Sequence, residues 1–345
     1  MRTKLRPEAA TSLDQKYDTL QSILRACGSV CVGYSGGVDS VLLARVAVDT
    51  LGAARVLAVT GLSAAYPEVQ RVTARACARK FGIPHLEIET AELDDPAYAA
   101  NPANRCYFCK AALWPKLQQV ARERGYAAVL DGSNADDAHD YRPGFAAGRE
   151  HGIRSPLLEA GLTKQEIRQL SRQLGLPTWN QPAAPCLSSR LPYGVAVTTA
   201  RLRAVEQGEA ALRALGFAEL RVRHHQDCAR IELAPAELAR AWQLGMQIDR
   251  ALRAAGFPRV LLDIDGYRRG ALNEVLVHIG TAARTMAAAL PPHDVAGFHG
   301  DIAVVRDTTP DHARTHASAL RSVGFRYVAV DLGGARAHQP DTGSG

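Results

Sequence analysis

The first half of the chain alternates short apolar runs with longer stretches of helical periodicity. Apolar runs of strand length span residues 30–34, 55–60, 85–90 and 127–131, and helical patterns between them include 67–81 and 107–124. Strands that alternate with helices in this way are typical of parallel sheets joined by crossover helices. The pattern predicts an α/β domain with a doubly wound parallel sheet.

The order of elements changes in the second half. Thr163 and Glu166 form a capping box that begins a helix, and Gly175 ends it. Residues 181–194 are then rich in Pro, Ser and Gly, which indicates a boundary or a working loop. Beyond them the pattern predicts a helix at 198–215, strands at 220–224 and 229–233, a helix at 235–255 and a strand at 260–264. This order predicts a smaller α+β domain.

The C-terminal part contains an internal echo. The pattern of residues 256–268 recurs at 324–336, and Asp227-Cys-Ala is echoed by Asp301-Ile-Ala. Residues 297–336 therefore resemble a shortened copy of the second half of the smaller domain, and two copies predict a paired or swapped strand-helix-strand unit. We expect an N-terminal arm at 1–17, the α/β domain at 18–185, the α+β domain at 186–280 and an extension with this partial repeat at 281–345.

The composition agrees with a globular protein of two domains, because 47% of the 345 residues are hydrophobic and 22% are charged. No apolar run reaches the roughly 18 residues that span a bilayer, and the charged N-terminus does not resemble a signal peptide. We therefore expect a cytoplasmic protein without a membrane partner. The formal net charge of +6 favours anionic partners without identifying them.

A glycine-rich loop follows the first predicted strand and opens a predicted helix. Its sequence is Ser35-Gly36-Gly37-Val38-Asp39-Ser40. The glycines allow a sharp turn that presents backbone N–H groups to an anion, and the start of the helix adds a partial positive charge. The two serine hydroxyls can donate to phosphate oxygens, and Asp39 can hold Mg²⁺. Because Gly-x-x-x-x-Gly-Lys is absent, this is not the common P-loop.

A second polar turn follows the fourth predicted strand. It contains Asp131, Gly132 and Asp136, and parallel sheets bind ligands beyond the carboxyl ends of their strands. We therefore expect this turn to face the same crevice as Ser35, with Asp131 and Asp136 positioning a metal or substrate. An ordinary acidic turn is the alternative.

Three of the seven cysteines stand in chemically informative positions. Cys106 and Cys109 form a Cys-x-x-Cys, and Cys186 lies in the loop that leaves the α/β domain. Redox, zinc and iron–sulfur sites all use such cysteines. Three thiolates can hold a [4Fe–4S] cluster that leaves one iron open to a sulfide, whereas three thiolates and a histidine would make a closed zinc site. The remaining four cysteines have no partner motif and are expected to be buried structural thiols.

Arg221 and Arg223 alternate along a predicted strand, so both side chains point to one face. Two guanidinium groups on one face could clamp a phosphate group. A solvated basic strand face is the alternative.

Several of these motifs together carry a resemblance to known families. The loop of Ser35–Ser40 resembles the PP-loop of the ATP pyrophosphatases, which belong to an adenine nucleotide alpha hydrolase-like fold. That loop, the Asp131-Gly132 turn, Asp140-Tyr-Arg-Pro-Gly144, Ser188-Ser-Arg-x-Pro-Tyr-Gly194 and Arg221-Val-Arg-His224 together resemble LarE, the sulfur transferase family of nickel-pincer nucleotide biosynthesis. The likeness covers residues 18–274 and leaves the last 70 or so residues outside the pattern.

The LarE resemblance implies a reaction. ATP adenylylates a carboxylate of pyridinium-3,5-biscarboxylic acid mononucleotide, and sulfur then displaces AMP to leave a thiocarboxylate. One form of the family sacrifices a single cysteine, whose position here is Pro185; the other holds a [4Fe–4S] cluster on three cysteines, which Cys106, Cys109 and Cys186 match. The cluster route is favoured over sacrifice of Cys186.

The same resemblance implies roles and partners. It places Ser35, Gly36, Gly37, Asp39, Ser40, Asp131 and Gly132 on ATP; Arg221 and Arg223 on the substrate phosphate; and Ser189, Glu209, Asp39 and Cys186 in catalysis. The expected cofactors are ATP, Mg²⁺ and the cluster. The expected partners are a small-molecule nucleotide, a sulfide source and further copies of the chain.

Two other enzyme classes remain as alternatives. A tRNA thiolase runs the same chemistry on a base, but it needs clustered basic and stacking aromatic residues, and only 6% of this chain is aromatic. A nucleic-acid partner is therefore not expected. An amide synthetase that uses ammonia would explain the PP-loop and leave the three cysteines without a role.

Overall fold

The computed structural model describes residues 12–139, 143–182, 184–225, 227–268, 295–299, 302–305, 309–322 and 325–333. Compact packing divides the chain into two units, Met1–Cys186 and Leu187–Gly345. Parts of the predicted arm, of the 140–144 motif and of the internal echo, including Asp301 and 334–336, lie outside the described residues. Within the described residues, no helix is both long enough and apolar enough to cross a membrane.

The first unit is built on a parallel sheet of four strands in the order β3-β2-β1-β4. The strands are β1 Val30–Gly33, β2 Val56–Leu62, β3 His85–Glu89 and β4 Ala128–Leu130. The helices are α1 Leu13–Cys27, α2 Val38–Leu51, α3 Glu68–Lys80, α4 Pro96–Ala99, α5 Arg105–Arg124, α6 Pro143–Glu150, α7 Pro156–Glu159 and α8 Lys164–Gln173. The predicted α/β class with a parallel sheet is confirmed.

Both faces of this sheet are covered, as the alternation of side chains along each strand requires. Val30 and Val32 of β1 pack into a core with residues of α1, α2 and α8. Cys31, which lies between them in sequence, packs with Trp114 and Leu117 of α5 on the opposite face. The sheet is therefore doubly wound, and the carboxyl end of β1 leads into the glycine-rich loop.

The second unit contains a sheet of six strands in the order β5-β6-β7-β10-β9-β8. The strands are β5 Leu220–His225, β6 Cys228–Leu233, β7 Arg259–Asp263, β8 Val295–His299, β9 Ile302–Val305 and β10 Tyr327–Asp331. The helices are α9 Thr199–Ala214, α10 Leu238–Gln243, α11 Gly245–Ala254 and α12 Pro310–Ser322.

The echoing segments occupy equivalent places in this sheet. In each half an antiparallel hairpin is followed by helix and then by a third strand, which pairs parallel with the second strand of the hairpin. The strands are β5, β6 and β7 in one half and β8, β9 and β10 in the other. The two halves meet where β10 pairs antiparallel with β7, with Ala329 opposite Asp263. The sheet is therefore two copies of one motif joined at their last strands.

Two predicted elements differ in their bounds from the helices of the structure. The helix predicted at 235–255 is a 3-10 turn, Pro235–Glu237, followed by α10 and α11, because the buried Gly245 begins a new helix after Leu244. Glycine has a low helix propensity, so a break there costs little. The first helix begins at Leu13, inside the segment expected to be an arm, and a Ser12–Gln15 capping box starts it.

Candidate active site

The glycine-rich loop makes a tight turn between β1 and α2. Gly36 has a φ of +71°, and a Cβ atom there would lie 2.8 Å from the Cβ of Ala74. Gly37 caps α2 without a side chain. Only glycine satisfies both the backbone angle and the close approach of α3 at position 36. The loop therefore opens onto the start of α2, where the helix dipole favours an anion.

Hydrogen bonds hold the two loop serines together. The hydroxyl oxygens of Ser35 and Ser40 lie 3.2 Å apart, and the Ser40 hydroxyl donates to the Gly37 carbonyl over 3.1 Å. Tyr66 and Gln70 donate to the carbonyl of Ser35 over 3.0 Å and 2.8 Å. The sequence does not point to these two supporting residues, because nothing local connects them to a residue 31 and 35 positions earlier.

Asp39 forms an ion pair with Lys164 across the crevice. The Lys164 ammonium donates to one carboxylate oxygen, and the Asn134 amide donates to the other over 3.4 Å. The sequence placed Lys164 only inside the Thr163–Glu166 capping box, which the structure confirms as the start of α8. Lys164 is therefore a cation at the loop that sequence reasoning missed.

The Asp131-Gly132 turn lies directly against the glycine-rich loop, in agreement with the expectation from sheet topology. A Cβ atom on Gly132 would lie 3.2 Å from the backbone nitrogen of Ser40. The Asp131 carboxylate accepts hydrogen bonds from Ser133 and from Ser155, the latter over 2.6 Å. Asp136 accepts from the backbone N–H of Lys164 over 2.9 Å, so both aspartates order this turn.

The three cysteines of interest belong to the first unit. Cys106 is exposed, whereas Cys109 and Cys186 are half-buried. Burial raises the pKa of the Cys109 thiol to about 12, and the nearby Cys186 and Cys106 thiols add to this effect. The Cys186 and Cys106 thiols are thus electrostatic neighbours of Cys109, which lies in the first turns of α5. The four cysteines expected to be structural are buried: Cys27, Cys31, Cys77 and Cys228.

A cluster or metal would have to fit these thiols. Soft thiolates are the donors that iron–sulfur clusters and zinc prefer. Among the residues that the structure describes, however, no three His, Cys, Asp or Glu side chains converge as metal ligands. The donor chemistry fits a cluster, while the ligand geometry is not formed, and the iron–sulfur assignment stays a prediction.

The second unit contains a buried basic cluster around Glu209. Arg190 makes a bidentate pair with Glu209 at 2.8 Å and 3.2 Å, and Arg213 adds a contact at 2.9 Å. Burial opposes ionisation of Glu209, but the guanidinium groups of Arg190, Arg221 and Arg213 together outweigh it and hold the pKa of Glu209 below its usual value. Burial and then the neighbouring Arg190 depress the pKa of Arg221. A crowded, half-buried guanidinium of this kind is stabilised by an anionic ligand.

Arg223 differs from the sequence expectation of a free phosphate clamp. It is 6% exposed and donates to the Ser189 carbonyl over 2.9 Å and to Glu232 over 2.8 Å. Ser189 lies on the 3-10 turn Leu187–Arg190, and its hydroxyl accepts from Arg190 over 3.1 Å. Strand pairing supplied Glu232 as a partner, which spacing along one strand could not predict. Arg190 nevertheless contacts both Ser189 and Glu209, and Arg223 contacts the Ser189 carbonyl. Arg221 lies close enough to Arg190, Glu209 and Arg223 to interact with them electrostatically.

Comparisons with known proteins find relatives that match most of the chain. The family model described as NAD synthase matches residues 12–120. An uncharacterized protein of Synechocystis sp. is 45% identical over 267 residues, 76% of this chain and 99% of the relative. The pyridinium-3,5-bisthiocarboxylic acid mononucleotide synthase of Lactiplantibacillus plantarum is 37% identical over 265 residues, 77% of this chain and 96% of that enzyme. The solved structure of NMN synthetase from Francisella tularensis matches 50% of this chain and 76% of the synthetase chain. The TM-score is 0.40 and the sequence identity 19%, so this likeness carries no conclusion.

Proposed function

The chain belongs to the LarE family, which includes the pyridinium-3,5-bisthiocarboxylic acid mononucleotide synthase, and from that premise we propose that it is an ATP-dependent sulfur transferase of nickel-pincer nucleotide biosynthesis. A carboxylate of pyridinium-3,5-biscarboxylic acid mononucleotide attacks the α-phosphorus of ATP, and pyrophosphate leaves. Sulfide sulfur then attacks the acyl carbon, AMP leaves, and a thiocarboxylate remains. The 37% identity over 96% of the named enzyme carries the proposal.

The first unit supplies the groups for adenylylation. We assign the pyrophosphate to the turn of Gly36 and Gly37 and to the hydroxyls of Ser35 and Ser40, because a helix start and clustered donors bind phosphate oxygens. Mg²⁺, when bound, would neutralise phosphate charge. When the nucleotide binds, the Asp39–Lys164 ion pair can separate. The carboxylate would then face Mg²⁺, and the ammonium would face phosphate oxygens.

Cys106, Cys109 and Cys186 are the proposed ligands of a [4Fe–4S] cluster. Such a cluster, when bound, would supply the sulfur that is transferred. The protein's part would be to bring the three sulfurs together, and the effect of the Cys186 and Cys106 thiols on the pKa of Cys109 supports their proximity to that residue. Because metal binding requires thiolates, the raised pKa predicts that loading releases a proton from Cys109. Pro185, at the sacrificial position of the one-cysteine form, argues against self-sacrifice.

The phosphate of the pyridinium nucleotide is assigned to the basic cluster of the second unit. Arg221 is the proposed principal ligand, since its depressed pKa reflects burial beside other guanidinium groups. Glu209 and Ser189 position Arg190. Arg223, which is paired with Glu232, contributes a further positive charge to the cluster. A sulfide donor, a homo-oligomer and a cytoplasmic location stay predictions.

The decisive experiment separates the two half-reactions in anaerobically reconstituted protein. The Cys186→Ala variant should lose a broad visible charge-transfer absorbance and thiocarboxylate formation, while AMP release that depends on the pyridinium nucleotide survives. The Asp39→Asn variant should slow AMP release by about 10²-fold or more, as loss of a metal-positioning charge does. The Cys77→Ala variant, which changes a buried thiol outside the trio, is the matched control.

The outcomes discriminate between the alternatives. AMP release that responds to tRNA and not to the pyridinium nucleotide would contradict the proposed substrate, and product formation with ammonia would indicate an amide synthetase. A colourless protein with stoichiometric zinc would contradict the cluster. Loss of the mass of H₂S from Cys186 after turnover would support sacrifice instead.

A further inference from the structure

A chain of buried charges runs across three strands of the second unit's sheet and ends at an aromatic ring of the C-terminal repeat. Arg223 pairs with Glu232 at 2.8 Å, and the other oxygen of Glu232 lies 2.8 Å from Arg230. Arg230 also pairs with Asp263 of β7. The four side chains are between 1% and 6% exposed. Removal of one member of a buried ion pair is strongly destabilising, because it leaves the other charge uncompensated.

The register explains why Glu232 must be shared. Arg223 and Arg230 lie directly opposite each other on β5 and β6, and like charges at opposite positions repel. Glu232 bridges the two guanidinium groups. The position of Arg230 therefore decides how much of the Glu232 charge Arg223 receives.

Tyr327 of β10 covers Arg230. The Arg230 guanidinium carbon lies 3.6 Å from the centroid of the Tyr327 ring, which is a close cation–π contact. His225 accepts from Arg230 over 3.2 Å and packs edge-on against the same ring with centroids 5.7 Å apart. The Tyr327 ring thus covers the face of the buried Arg230 guanidinium, and the His225 imidazole contacts its edge.

We propose that Tyr327, from the C-terminal repeat, is a positioning residue that acts through Arg230 and Glu232 to hold Arg223 in its binding geometry. The inference rests on the proposed function, because Arg223 is assigned to the substrate phosphate. When the aromatic face is lost, Arg230 moves away from Glu232, and Glu232 then draws Arg223 to itself. The repeat thereby supports the substrate site without touching the substrate.

The test compares Tyr327→Leu with Tyr327→Phe in the full chain. The leucine removes the aromatic face and keeps an apolar side chain, whereas phenylalanine keeps the face. We expect Tyr327→Leu to raise KM for the pyridinium nucleotide by up to about tenfold, the change reached if the free energy of one buried cation–π contact is transmitted in full to Arg223. We expect kcat and KM for ATP to be unchanged. Tyr327→Phe should restore the wild-type KM. Val328→Ala, which truncates a buried side chain on the opposite face of β10, should leave KM unchanged.

A readout independent of activity separates this inference from the proposed function. The ¹⁵Nε–Hε NMR signals of Arg223 and Arg230 should both shift in Tyr327→Leu and keep their positions in Tyr327→Phe. An unmoved Arg223 signal would overturn the inference. A shifted Arg223 signal with an unchanged KM would support the coupling and count against Arg223 as a phosphate ligand. If the leucine variant does not fold, progressive fluorination of a phenylalanine at 327 weakens the ring's attraction at constant shape, and KM should rise with each fluorine.

Discussion

At the scale of single residues, the site depends on close approaches that leave no space for alternatives. Gly36 combines a φ of +71° with a neighbour that a Cβ atom would meet at 2.8 Å, and a Cβ atom on Gly132 would lie 3.2 Å from the backbone nitrogen of Ser40 in α2. Lys164 shows the complementary case: it lies within a capping box, yet its ammonium pairs with Asp39 of the loop. Local sequence explains its backbone and not its side chain.

The Gly36→Ala substitution should be costly. A left-handed backbone costs an alanine roughly 1–2 kcal/mol, and the overlap with Ala74 adds a similar amount, so we expect a loss of about 2–4 kcal/mol in the free energy of unfolding. Urea denaturation measures it. The control is Gly82→Ala, where φ is +61° and no atom lies within 4 Å of the added Cβ, so that only the backbone cost of roughly 1–2 kcal/mol is expected. Equal losses in the two variants would show that the contact with Ala74 does not matter.

At the scale of elements, charged pairs attach helices to the sheet. Glu87 of β3 accepts from Arg75 of α3 at 2.7 Å and 2.5 Å and from Arg71 at 2.9 Å. The Arg75 hydrogen bonds, with help from Arg71, outweigh the modest burial of the carboxylate and lower the pKa of Glu87 to about 2. This fork joins α3, which also carries Gln70 beneath the glycine-rich loop, to the edge strand of the sheet.

The Glu87 pair predicts a pH dependence of stability. Because its pKa is lower in the folded state, the stabilisation is present above the unfolded pKa of about 4.3 and is lost as pH falls towards 2. The arginines are 31% and 44% exposed, so solvent screening limits the effect to about 1 kcal/mol. Glu87→Gln should flatten this part of the curve of unfolding free energy against pH. Glu68→Gln, which changes an exposed carboxylate 3.5 Å from Arg71, should leave the curve's shape intact.

At the scale of the whole molecule, the C-terminal repeat determines the form of the second unit's sheet. Its strand β10 pairs with β7, and a shared apolar cluster joins Cys228 and Leu261 to Ile302, Val304 and Tyr327. The repeat therefore covers a sheet edge and part of a core that the first copy cannot cover alone. Unpaired edges of this kind bind other strands readily.

Removal of the repeat should therefore cause self-association. A chain that ends at residue 294 leaves the pairing positions of β7 at Leu261–Asp263 open and uncovers the apolar cluster. We expect its mass by light scattering to increase with concentration beyond that of the full chain. A truncated chain with the same number of copies per particle as the full chain at every concentration would contradict this role of the repeat.

The sequence by itself was sufficient for the parallel sheet, the glycine-rich loop, the burial of four cysteines and the family, because alternation, glycine turns and helix caps act between near neighbours in the chain. It also showed that the C-terminal segment echoes an earlier one. The pattern predicts one continuous helix through Gly245, because the periodicity of the sequence does not show where one helix ends and the next begins.

Tertiary structure alone decided which distant side chains meet. Lys164 pairs with Asp39, which lies 125 positions earlier, and Arg223 pairs with Glu232 because β5 and β6 are neighbouring strands. Tyr327 reaches Arg230 only because β10 pairs with β7. Long-range pairing depends on the packing of whole elements, and the charge on a residue does not specify its partner. The glycine-rich loop could thus be recognised from six residues, whereas the contacts that support it could not.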